Sequence, residues 1–275
     1  MDTRWLSFHF YPLETTDVFL TRAVRPFLAQ YIWPRSGARA FYVRYDDERG
    51  PHVRLRLRGE AEWVEETLRL ASEGWFRERG ECREAIYEPE PQRFGGQEAL
   101  AWAEDHFHIS TRVALERMNQ DAYVYGDALY DALRCDVMAA FAAAFSRERA
   151  AWYFGQLYAQ WLPLFISPEP DAALPAGSSP FAALEEQFQA GYARQRDELG
   201  ENLIRLWDAL DHKRWDDKQP EWMRWLHGNE LVLKGLGEHL ERALPSLLHL
   251  HHNRLGIHTA DEVYVCYLLS RLLRD

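Results

Sequence analysis

The chain opens on a short aromatic-rich run, Trp5 to Tyr11, which predicts a strand. Leu20, Ala23, Val24, Phe27, Leu28 and Tyr31 then recur at the three-and-four spacing of one helical face. Thr15 or Thr16 can cap that helix, and Pro26 predicts a kink inside it. Two strand-like runs follow, Ala40 to Tyr45 and His52 to Leu57, joined by the turn chemistry of Asp46-Asp47-Glu48-Arg49-Gly50-Pro51, which predicts a hairpin. Glu60 to Gly74 gathers Trp63, Val64, Leu68 and Ala71 on one side of a second helix, and Cys82 to Tyr87 predicts a fourth strand. The order β-α-β-β-α-β is that of a ferredoxin-like lobe.

Beyond Pro89 and Pro91 the spacing is helical almost throughout. Helices are predicted from Gln97 to Met118, Asp127 to Phe145, Arg147 to Leu164, Pro180 to Asp211, Glu221 to Ala243, Pro245 to Leu255, and Thr259 to Arg274. Asp127 is a cap candidate, Ser179 precedes Pro180 as another, and Thr259 with Glu262 spells a capping box. A proline-rich loop holds Pro168, Pro170 and Pro175. The expected fold is α+β: an N-terminal ferredoxin-like antiparallel sheet lobe over 1–95, then a mostly α-helical lobe over 96–275, packed as a single domain.

Composition narrows the function. With 47% hydrophobic residues in 275, the chain can bury a substantial core. Its net charge of −11 argues against a general nucleic-acid binder, so no direct nucleic-acid partner is expected. No apolar run is long enough for a membrane span, and the N-terminus is too polar for a signal peptide. Cys82, Cys135 and Cys266 are odd in number and far apart, which predicts neither a disulfide framework nor a CxxC site, and suggests a cytoplasmic protein. Phosphate-loop and GxSxG spacings are absent.

Three segments carry candidate chemistry. In a strand, His52, Arg54, Arg56 and Arg58 share one face while Val53, Leu55 and Leu57 share the other. Guanidinium groups in such a row form either an anion-binding floor or a solvated face paired with acids. Tyr87-Glu88-Pro89-Glu90-Pro91-Gln92-Arg93-Phe94-Gly95-Gly96 is a stiff corner ahead of a helix start; Arg93 faces either an anion or water. On a C-terminal helix, His249, His252 and Asn253 fall at i, i+3 and i+4, with His251 between them; a histidine here is a general acid/base or a satisfied core residue. A metal site would need partners such as Asp105, His106 or His108, and none is predicted.

Taken together, WLSFHFY, FYVRYDDERGPHVRLRLRG, YEPEPQRFGG and SLLHLHHNRLG resemble, in that order, the C-terminal elimination domain of lantibiotic dehydratases, also called the thiopeptide-type bacteriocin biosynthesis domain. In that family a separate part glutamylates Ser or Thr of a precursor peptide from glutamyl-tRNA. The elimination domain then removes glutamate to leave dehydroalanine or dehydrobutyrine. At 275 residues the chain is expected to be a stand-alone form. The resemblance implies Arg54 and Arg56 (the HxRxR strand), Arg93 (the RYGG-like segment, here with Phe94) and His249 (the HMxxNR-like helix, here with Leu250) as catalytic. Beside these, His52, Arg58, His251, His252 and Asn253 are expected to bind substrate, and His251 and His252 are alternatives to His249 for taking the Cα proton. No cofactor is implied. The implied partners are a precursor peptide and a glutamylating dehydratase, with a homodimer possible. Related stand-alone enzymes are pyridine synthases, which join two dehydroalanines in a formal [4+2] cyclisation and tend to lack this Arg/His set. A non-catalytic partner subunit is the third reading.

Overall fold

The structure is a computed structural model describing residues 2–165, 180–214 and 219–274. The proline-rich loop and Ser179 lie outside the described residues. The residues form two compact units, one built from 1–128 with 219–256 and the other from 129–218 with 257–275.

The first unit holds the sheet. Strands β1 (Thr3–Pro12), β2 (Arg39–Asp47), β3 (Gly50–Glu60) and β4 (Gly80–Glu84) run antiparallel in the order β2-β3-β1-β4. The first crossover is α1 (Thr16–Phe19), a π turn (Leu20–Val24) and α2 (Arg25–Tyr31). The second is α3 (Ala61–Trp63), a π turn (Val64–Leu68) and α4 (Arg69–Phe76). The Thr15 side chain caps α1 through the Val18 N–H. The irregularity predicted at Pro26 falls one turn earlier: the Arg25 N–H bonds the Leu20 carbonyl five residues back. Proline has no N–H to continue the regular ladder, and a π turn is one of the few ways a helix absorbs that.

Strand alternation explains both faces of the sheet. Leu6, Phe8 and Phe10 of β1 and Val53, Leu55 and Leu57 of β3 are buried on one face. Phe10 packs there on Phe19 and Phe76, with ring centroids 5.4 and 4.6 Å away. The other face carries Trp5, Ser7, His9 and Tyr11 beside Arg58, Arg56, Arg54 and His52, with Phe41, Val43 and Tyr45 of β2 in the next column. That face is covered by α5 (Pro91–Phe94), α6 (Gln97–Met118) and a C-terminal helix, α11 (Leu240–Leu255), while α10 (Pro220–Leu236) packs on α6.

The outer edge of β2 is sealed by helix side chains rather than by a fifth strand. The Ala40 N–H meets His108 Nδ1 at 3.1 Å, and the Tyr42 N–H donates to Thr111 Oγ1 at 3.3 Å. Arg44 N–H donates to Asn253 Oδ1 at 2.9 Å, while Asn253 Nδ2 donates back to the Arg44 carbonyl at 3.0 Å. An open edge would leave a row of unpaired amides under a helix layer.

In the helical segments several boundaries move. β4 ends at Glu84 rather than Tyr87; the Ala85 N–H still donates to the Ser7 carbonyl at 2.9 Å, and residues 86–90 lie outside the strand. α7 (Tyr125–Ala142) starts before Asp127, whose carboxylate accepts the Val124 N–H from within the first turn, so Asp127 is not the cap. α8 (Arg147–Phe165) and α9 (Pro180–Asp211) follow as expected. α10 (Pro220–Leu236) stops at Gly237, which adopts φ +52. α11 (Leu240–Leu255) therefore begins before Pro245 and contains it. α12 (Thr259–Leu272) is preceded by His258 in the cap position without a side-chain cap, so Thr259 is helical and the predicted box does not form. In the second unit α12 packs on α8 and α9, with Cys266, Tyr267 and Leu269 buried. Among the described residues no helix is long and apolar enough to cross a membrane.

Replacing Asn253 by Ala leaves an amide and a carbonyl of a covered strand edge unpaired. We expect a loss of about 1–3 kcal/mol in urea-denaturation stability, with Asn253→Asp intermediate because it still accepts but cannot donate.

Candidate functional site

On the basic face of the sheet lies a cleft of about 200 Å³ lined by Arg54 and Arg56 from β3, Tyr45 from β2, Tyr87 to Glu90 from the segment after β4, Arg93 from α5, and Leu250 from α11. Phe41, Phe94 and Phe107 form its apolar wall. It is smaller than the roughly 300–1,000 Å³ of pockets for drug-sized ligands and suits one amino-acid-sized group.

Each sequence-predicted basic residue takes a different environment. The Arg54 guanidinium lies 3.4 Å from the Tyr45 ring centroid and its Nε donates to His52 Nε2 at 3.3 Å. Arg56 is almost fully buried; it donates to the Phe8 carbonyl at 3.2 Å and sits 3.4 Å from His9 Nε2. Burial, then the neighbouring Arg54, pushes Arg56 down to about 10, which leaves it charged at neutral pH. Among the described residues no carboxylate lies within ion-pair distance of Arg54 or Arg56: their partners are rings, carbonyls and imidazoles. Arg58, by contrast, is neutralised by Glu104 at 3.2 Å. Arg93 Nε donates to Ser246 Oγ at 2.9 Å, with Glu90 at 4.0 Å.

Arg93 owes its position to the glycine corner. Gly95 adopts φ +110, where a Cβ would stand 2.6 Å from the His239 ring, so the chain can turn there only without a side chain.

The histidines divide. His52 is fully buried and stacks on Tyr11 at 4.6 Å, so it props the arginine row from beneath rather than lining the cleft. On α11, Ser246, His249, Leu250 and Asn253 fall on one stripe by helical spacing, and Ser246 and Leu250 meet the site directly. His249 is half-buried on that stripe and does not line the cleft. His251 and His252 are fully buried. His251 lies 4.1 Å from the Trp225 ring and 2.8 Å from Ser110 Oγ, and burial, then His252, drives its pKa well below the ordinary value. The five side chains expected to bind substrate, namely His52, Arg58, His251, His252 and Asn253, are thus all engaged inside the protein away from the cleft lining.

His106 is held between Asn229 at 2.6 Å and the Leu247 carbonyl at 3.2 Å, and His108 against the backbone of Ala40. Neither is presented to a metal, and among the described residues no group of three or more His, Cys, Asp or Glu is placed to hold one.

Sequence reasoning reached Tyr87 only as the first residue of the proline-glycine corner and missed its neighbour Glu104. Tyr87 packs edge-on to Trp5 at 4.9 Å and Phe41 at 5.6 Å, with Glu104 close by. Burial, then Glu104, raises the Tyr87 pKa. Burial also raises Glu104, against the pull of Tyr87 and Arg58. The aromatic at the end of a predicted strand and the acid on a helix 17 positions later carry no local sign of this proximity.

Burial holds His106 and His108 at a pKa of about 4, with Arg39 adding to the effect at His108. The unfolded chain takes up these protons near pH 6.5, whereas the folded one does so only near 4. Folding stability therefore falls as pH drops through that window and is independent of these two groups above it. Thermal unfolding between pH 7.5 and 4.5 checks the direction. His108→Asn, which can still bond the Ala40 backbone, should flatten the slope.

Comparison with known proteins bears on the family and the fold. Residues 5–273 match the family described as lantibiotic biosynthesis dehydratase, C-terminal. No curated protein matches the sequence. Among solved structures, the pyridine synthase TbtD from thiomuracin biosynthesis is similar at TM-score 0.75 and 19% identity, covering 98% of this chain and 97% of that one. The tRNA-dependent lantibiotic dehydratase MibB from Microbispora sp. 107891 is similar at TM-score 0.63 and 20% identity over 98% of this chain, which spans only 28% of MibB. TsrL is similar at TM-score 0.58 and 16% identity, covering 98% and 94%. These identities speak for the fold alone; the match of the family over nearly all of the sequence places this chain in the lantibiotic dehydratase C-terminal domain family.

Proposed function

We propose that the chain is a lyase that removes glutamate from glutamylated Ser or Thr residues of a precursor peptide. The observation that carries the reading is the presence of Arg54, Arg56 and Arg93 on one small cleft, the first two without any carboxylate partner among the described residues. In a chain of net charge −11, two arginines without a carboxylate partner on one cleft, Arg54 and Arg56, are suited to an anionic guest, with Arg93 beside them sharing its charge with Glu90.

The reaction asks for such a site. The Cα–H bond of the modified residue breaks, its electron pair forms the Cα=Cβ bond, and the Cβ–O bond breaks to release glutamate through the α-carboxylate by which it was esterified. Negative charge grows on the leaving carboxylate and on the neighbouring peptide carbonyl. Guanidinium groups fixed in advance around that charge lower the barrier. Arg54 and Arg56 are fixed by the sheet and by aromatic contacts, and Arg93 by Ser246. His249 is our candidate for proton transfer, as an imidazole on the α11 stripe that carries Ser246 and Leu250. Tyr45 and Tyr87 bound the guest, and Arg58, His52 and Asn253 hold the cleft's framework.

A second reading, cyclisation of a dehydrated peptide, is favoured by the similarity to the pyridine synthase TbtD along nearly the full length of both chains. The retained arginine set favours elimination.

The test reconstitutes the chain with a glutamylating dehydratase and its precursor peptide and follows the products by mass spectrometry. Arg54→Ala and Arg56→Ala should each slow glutamate loss by about 10²-fold or more, so that glutamylated peptide accumulates. His249→Ala should slow elimination while leaving the affinity for free L-glutamate unchanged, separating proton transfer from anion binding. Unchanged dehydration in all three variants would overturn the lyase reading, and ring formation with peptide release from a pre-dehydrated substrate would establish the cyclase.

A further inference from the structure

Behind the apolar wall of the cleft lies a cation that the reading above does not use. Arg254, in the last turn of α11, is fully buried. Its Nη1 donates to the Leu250 carbonyl at 3.0 Å and to Ser110 Oγ at 3.3 Å. Among the described residues its Nε and Nη2 have no hydrogen-bond partner. The guanidinium rests 4.9 Å from the Phe107 ring centroid and 5.9 Å from that of Phe41. Both rings, and Leu250 itself, line the cleft. Among the described residues no carboxylate pairs with Arg254.

An unpaired guanidinium in the interior is destabilising relative to an apolar side chain of the same size. The helix C-terminus and two ring faces offset part of that cost, but neither carries a net negative charge. Across a wall of aromatic rings the remaining charge is poorly screened, so its field reaches the cleft.

We infer that Arg254 is a positioning residue of the anion site: a buried counter-cation whose missing negative partner is the carboxylate-bearing guest on the other side of Phe41 and Phe107. The inference rests on the anion-binding reading of the cleft. It makes Arg254 act through charge at a distance, without touching the guest.

A charge series tests it, with free L-glutamate as the probe and calorimetry as the readout. Arg254→Met and Arg254→Gln remove the charge, and Gln keeps a donor for the Leu250 carbonyl; both should weaken glutamate binding about tenfold. Arg254→Lys keeps the charge and should bind within about threefold of the native chain. Urea denaturation of the same proteins should show Arg254→Met at least as stable as the native chain, because a buried unpaired charge has gone. Should Arg254→Met fail to fold, the Gln and Lys pair decides. Equal glutamate affinity across Met, Gln and Lys, or a loss that follows stability and not charge, overturns the assignment. Weakened binding in Arg54→Ala with unchanged binding in Arg254→Gln sinks this inference alone. Unchanged binding in Arg54→Ala sinks the anion cleft itself.

Discussion

Strand β3 cannot bury Val53, Leu55 and Leu57 without turning His52, Arg54, Arg56 and Arg58 toward the second layer of helices. That constraint organises this side of the unit. Four basic or ionisable side chains in line would repel one another if simply covered. Each therefore receives its own arrangement: His52 a pile of aromatic rings, Arg58 a carboxylate, and Arg54 and Arg56 neutral partners around a cleft. His9, directly opposite Arg54 across the strand pair, shows how strongly the local field is positive. Burial, then Arg56 and Arg54, lowers its pKa to about 4, which keeps it neutral so that it can accept from a guanidinium.

The neutrality of those partners is what separates a binding face from a structural ion pair. Had acids been placed against Arg54 and Arg56, the row would be satisfied in the empty protein, and a guest would have to displace them. Rings, carbonyls and imidazoles hold a guanidinium in place without cancelling its charge. Arg58 is the internal control: same strand, same face, but closed by Glu104, and absent from the cleft lining.

How much of this was legible depends on the range of the interaction. Strand alternation is a local rule, and it placed all four residues of the β3 row on one face. The glycine corner was equally readable, because two adjacent glycines after a proline-stiffened segment advertise a turn. What could not be read was which arginine meets an acid. Glu104 lies 46 positions from Arg58, and no periodicity links them. Nor could the sequence say that His108, Thr111 and Asn253 are spent on closing the β2 edge, since any of the three could equally face solvent or a ligand. The caps assigned to Asp127 and Thr259 failed for a simpler reason: a helix start shifts by one or two residues when another residue supplies the first turn's contacts.

Helix α11 shows why its histidine cluster resisted a single role. The helix is buried on two sides, so its polar residues divide between two environments. One stripe, Ser246 to Asn253, serves the cleft and the strand edge. The other, with His251 and Arg254, lies inside the unit against Ser110 and Trp225. Adjacent histidines therefore differ completely: His249 is half-exposed while His251 is sealed and held neutral. A helix turns 100° per residue, so neighbouring positions in sequence are never neighbours on a face. The motif as a string suggests one cluster, whereas its geometry makes two sets: one turned toward the cleft and the β2 edge, and one sealed inside the unit.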